Sequence, residues 1–76
     1  MQTQTQEMNL YNACAIAEGW EGEHSLTLHM QAWSYLINTG MAWELQGWYG
    51  RNALMLIEQG LIDESGNINW DVINEL

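Results

Sequence analysis

The side chains able to do chemistry in this chain are few, and their spacing limits what they can do. His24 and His29 stand five apart, with Glu21 and Glu23 nearby. A metal held from one helix face needs ligands three or four apart, so this pair does not ligate together. Ser25 follows His24 directly, which suits a helix cap better than a nucleophile–base pair. Gly47 and Gly50 fall inside a helical stretch rather than ahead of one, so they build no phosphate cradle. Cys14 is the only cysteine. No intrachain disulfide can form, and Ala13, Ala15, Ile16 and Ala17 around it suggest a small buried apolar side chain. No catalytic residue, metal set or cofactor is expected, and a helical chain of 76 residues offers little room for a water-excluding pocket.

What remains is binding, and charge narrows it. Ten acidic residues face Arg51 alone, a formal net charge of −9. Phosphate contacts need Lys and Arg, so direct nucleic-acid binding is excluded, and anionic membrane is disfavoured. A host or phage protein with a basic surface is the natural partner. Glu18, Glu21 and Glu23 sit near one helical turn, and Asp63, Glu64, Asp71 and Glu75 near the other end. Gathered on one face, they would present a phosphate-like surface, as DNA-mimic inhibitors of the anti-CRISPR and anti-restriction type do. A homo-oligomeric structural or assembly role is the third reading.

The element that must carry a binding face is Met41–Gln59. Ala42, Leu45, Gln46, Tyr49, Gly50, Ala53, Leu56 and Ile57 fall in one arc at about 100° per residue, with Trp43 and Leu54 at its edge. Glu44, Arg51 and Glu58 lie opposite. The pattern predicts a single amphipathic helix of about five turns. Gly47 and Gly50 share a flank with Trp43 and Leu54, where a second helix or a ring could approach closely, at a cost of up to about 1 kcal/mol each against Ala. Trp48, Arg51 and Met55 form a ridge at i, i+3 and i+7, flanked by Glu44 and Asn52. Trp and Arg are enriched among interface hot spots and Met adapts to a partner, so these five residues are the expected partner-binding face. Arg51 has no acid at i±3 or i±4. The C-terminal tail is expected to pack over Trp48 while Arg51 stays accessible.

The same stretch carries a resemblance. Ala32-Trp33-Ser34-Tyr35-Leu36-Ile37-Asn38-Thr39-Gly40, Leu45-Gln46-Gly47-Trp48-Tyr49-Gly50-Arg51 and Leu56-Ile57-Glu58-Gln59-Gly60 together resemble a family of very short, uncharacterised bacteriophage proteins. Its members read roughly AWQxLIDTG, WxLQGWFGR and LIEAG. The match covers about Gln31–Ile62, and leaves out the acidic loop and the tail. It implies phage origin and a small helical protein acting in the cytoplasm of an infected bacterium, and it supplies no catalytic residue.

Around this stretch the chain reads as one all-α domain over 1–76, a small antiparallel bundle of three helices with a short fourth. Thr3 or Thr5 caps a first helix running to about Glu18, closed by Gly19. Met8, Tyr11 and Ala15 form one stripe and Leu10, Cys14 and Ala17 another, slim enough to lie against Gly47 and Gly50. Ser25 caps a second helix to about Asn38, with Leu26, Met30, Trp33 and Ile37 inward and Thr39-Gly40 at its end. After Gly60, Asp63-Glu64-Ser65-Gly66 makes a turn, with Leu61-Ile62 and Asn67-Ile68 pairing as a minimal hairpin. Asn69 caps a last helix, Trp70–Leu76, with Trp70, Ile73 and Leu76 inward. Proline is absent, which agrees with a helical chain. MQTQTQE lacks a basic residue before an apolar run and reads as no signal peptide, and no apolar run approaches the length of a membrane span.

Overall fold

A computed structural model of the chain describes residues 8–19 and 25–75. The expected Thr3 or Thr5 cap, the loop residues Trp20–His24 with Glu21 and Glu23, and Leu76 lie outside them. The fold is all-α, as the periodicity predicts. Among the described residues there are five helices: α1 Leu10–Glu18, α2 Leu26–Asn38, α3 Met41–Glu44, α4 Gly47–Glu58 and α5 Trp70–Asn74. No helix among the described residues is long and apolar enough to cross a membrane.

Local chemistry sets most of the boundaries. Asn9 caps α1, its side chain accepting from the Asn12 N–H at 2.8 Å, so the helix begins later than a cap at Thr3 or Thr5 would start it. Gly19 ends α1 in the left-handed region at φ 73°. Ser25 caps α2 through the Leu28 N–H at 3.1 Å, and Asn69 caps α5 through Val72 N–H. These side chains satisfy amides that a helix start leaves unpaired.

The single long helix is the main correction. Leu45 turns extended (ψ −167°) and so does Gln46 (ψ 154°), which divides the stretch into α3 and α4. Gly47 thus opens α4 instead of sitting mid-helix, and as a weak helix former it does little to hold a continuous helix together. Packing decides instead: Leu45 and Trp48 both lie against the core. Folding α3 back also sets the Trp43 ring and the Ala42 carbonyl beside Gly50, each 3.6 Å from where a Cβ would stand. The flank is therefore occupied by α3, while α1 packs on α2.

The core gathers Ala13 and Ile16 of α1, Met30, Ala32, Trp33, Leu36 and Ile37 of α2, Ala42 of α3, Tyr49 and Ala53 of α4, then Leu61, Ile62 and Ile73. Leu26 and Trp70, expected inward, are exposed, and so are Leu10 and Tyr11 from the two stripes of the first helix. α1 buries its Ala13–Ile16 row, and Leu26 sits at the first position of α2. Trp70 is exposed at the first position of α5, at the edge of this small core. Cys14 is half-buried with a free thiol.

The expected hairpin is a single antiparallel bridge, Ile62 to Ile68, with Asn69 N–H donating to the Leu61 carbonyl at 2.8 Å. The turn it encloses is seated on α2. Ser34 Oγ donates to the Gly66 carbonyl, and Asn38 Nδ2 donates to the Ser65 carbonyl at 3.0 Å.

Candidate functional site

α4 places the expected ridge, and the structure divides it. Arg51 and Met55 are exposed, and so is Glu44 on α3. Trp48 is half-buried, its ring edge-on to Trp33 of α2 at 6.2 Å and stacked on Tyr49 at 4.3 Å. Its ring neighbours are thus Trp33 of α2 and Tyr49 of α4 itself, aromatic contacts that the expectation of the tail over Trp48 did not include. The break before Gly47 lets the start of α4 lean on α2 in this way. Asn52 is half-buried, its Nδ2 donating to the Trp48 carbonyl at 2.9 Å. Arg51 folds back along α4, with one guanidinium nitrogen 3.3 Å from where a Gly47 Cβ would stand.

The large apolar side chains that α3 and α4 do offer are Trp43 at 47% exposed, Leu54 at 50% and Met55 at 45%. Trp43 and Leu54 were legible only as edges of the apolar arc. α3 folding back lays Trp43 against Gly50.

Of the expected acidic surface, Glu18, Asp63 and Glu64 are exposed. Glu18 accepts a hydrogen bond from the Tyr49 hydroxyl, which ties α1 to α4. Asp63 organises the turn: Oδ1 accepts from the Ser65 and Asn67 N–H groups, each at 2.9 Å, and Oδ2 from Asn67 Nδ2 at 3.1 Å. A groove of about 500 Å³ opens beside it, lined by Ile57 and Gly60 from the end of α4 and by Ile62, Asp63, Glu64, Asn67, Ile68 and Asn69. Sequence reasoning did not find this groove. Its one local signal was the turn cluster following an apolar pair.

Two groups make stability depend on pH. The Asn67 N–H, the Asn67 amide and the Ser65 N–H hold the Asp63 carboxyl below its usual range. Its contribution is complete above about pH 4 and is lost as pH falls through the depressed folded value. Burial, then the hydrogen bond to Glu18 and the neighbouring Cys14 thiol, push the Tyr49 phenol up. Its contribution is complete below about pH 10 and is lost as pH rises beyond that. Denaturation midpoints should therefore fall at both ends. Tyr49→Phe should cost about 1 kcal/mol at neutral pH and flatten the alkaline fall. An unchanged alkaline slope in that variant would show that Tyr49 does not carry it.

A family model described as Domain of unknown function (DUF7417) matches residues 19–76. No curated protein and no solved structure matches the chain.

Proposed function

The chain belongs to the DUF7417 family, and we propose that it is a small acidic phage protein that binds a host or phage protein and modulates or inhibits it without catalysis. The observation that carries this reading is the sorting of its surface. Glu18, Glu44, Glu58, Asp63, Glu64, Asp71 and Glu75 are all exposed, and Trp43, Leu54 and Met55 stand exposed on α3 and α4, the helices that also carry Glu44 and Glu58. Exposed apolar anchors on an acidic surface fit a partner whose own contact patch is basic. With Arg51 the only cation against ten acids, two copies of the chain repel, which weighs against self-assembly.

A nucleic-acid-binding enzyme is one source of such a basic patch, and it is the second reading. Asp63, Glu64, Asp71 and Glu75 lie exposed on the turn, on α5 and at its C-cap, where they could stand in for phosphates.

Affinity capture from infected host lysate tests both. One protein retained at low salt and released by moderate salt supports the reading. Its loss on Arg51→Ala together with Met55→Ala would place the contact on α4. Competition by DNA for the captured protein would select the mimic. An apparent mass by light scattering that rises with concentration, with no captured protein, would replace partner binding by self-assembly.

A further inference from the structure

The groove at the foot of α4 joins an apolar floor to an acidic rim, and one class of group satisfies both. Ile57, Ile62 and Ile68 supply apolar lining, and Asp63 and Glu64 supply carboxylates. Both Asp63 oxygens are engaged within the turn, whereas Glu64 is exposed and takes no part in that set. A wholly apolar guest would desolvate the rim, and a bare cation would gain nothing from the isoleucines. A lysine or arginine side chain has an aliphatic stem and a charged head, and the arginine fork matches a carboxylate.

Resting on the reading that the partner is a basic protein, we propose that this groove anchors one arginine or lysine side chain of a basic amphipathic segment of that partner. The stem lies on Ile57, Ile62 and Ile68 and the head meets Glu64. Leu54, one helical turn before Ile57, and Trp43, beside Gly50, extend the apolar contact along α4 for neighbouring residues of the same segment. Arg51 does not compete for the rim, since its head lies back against Gly47. A second copy of this chain is a poor occupant, because it brings a net charge of −9 and a single cation.

The test titrates the full chain by calorimetry with a synthetic peptide of leucine and arginine patterned as an amphipathic helix. A twin peptide carries neutral citrulline at every arginine. Glu64→Lys and Glu75→Lys change the net charge equally, and both positions are exposed, but Glu75 does not line the groove. The arginine peptide should bind and the citrulline twin should not. Glu64→Lys should weaken binding about tenfold or more, Glu75→Lys less than about threefold, and Leu54→Ser by an amount between the two. Equal losses from Glu64→Lys and Glu75→Lys would overturn the groove in favour of diffuse charge attraction, under which the partner-binding reading still stands. Equal binding of the two peptides, or binding of neither, also overturns the anchor. The lysate capture decides the broader reading on its own.

Discussion

Trp33→Ala is expected to lower stability by about 3–5 kcal/mol, the largest loss at any single aromatic position. Trp33 is 3% exposed and holds two rings at once, Trp48 at 6.2 Å edge-on and Tyr49 at 5.9 Å tilted. Removing it opens a cavity against α4 and takes from Trp48 its partner on α2. A domain of this size holds only about 4–11 kcal/mol in total, so the variant should sit near its unfolding threshold at room temperature. Trp48→Ala, at a half-buried position, should cost about half as much. Urea titrations followed by far-ultraviolet circular dichroism measure both. A cost under about 1 kcal/mol for Trp33→Ala would mean that the three rings are not what joins α2 to α4.

Gly66→Ala should lower the melting temperature by about 10–25 °C, corresponding to about 2–4 kcal/mol. Two effects add. The residue has φ 94°, where a Cβ is strained. The new Cβ would also stand 2.8 Å from the Ser34 carbonyl oxygen and 2.8 Å from Asn38 Cβ, and the carbonyl belongs to the backbone of α2, which the core holds in place. Gly60→Ala separates the two effects: φ is 79° but nothing lies within 4 Å, so it should cost only about 1 kcal/mol. Gly50→Ala is the opposite control. Its Cβ would meet Ala42 and Trp43 at ordinary contact distance, and the helix gains up to about 1 kcal/mol from alanine. Equal melting of the Gly66 and Gly60 variants would show that the seat on α2 is loose.

These residues also show which parts of the fold a sequence reader can see. Ser25 and Asn69 accept from amides, and Gly19 and Thr39-Gly40 donate to carbonyls, all a few residues away, so their capping roles are written locally. The break at Leu45 and Gln46 is not, because the apolar arc of a helical wheel runs straight through both. Only the pull of the core on Leu45 and Trp48 breaks the phase, and that depends on Trp33, which lies on another helix. The same displacement explains the binding face. Trp48, counted on the ridge, turns toward α2, while Trp43, counted at an edge, turns outward. The groove lies further from view still, since Ile57, Ile62 and Ile68 meet only once the bridge has closed.

Arg51, already notable as the lone cation, is also the only place where trypsin can cut, because the chain has no lysine and no other arginine. The Arg51–Asn52 bond lies in the second turn of α4, and a protease needs that backbone extended. Trypsin therefore cannot nick this protein at a loop or a frayed end and must wait for α4 to open. Where reclosing outpaces cleavage, the digestion rate follows the free energy of that opening. A protease commonly used to map flexible surfaces becomes, here, a gauge of one internal helix.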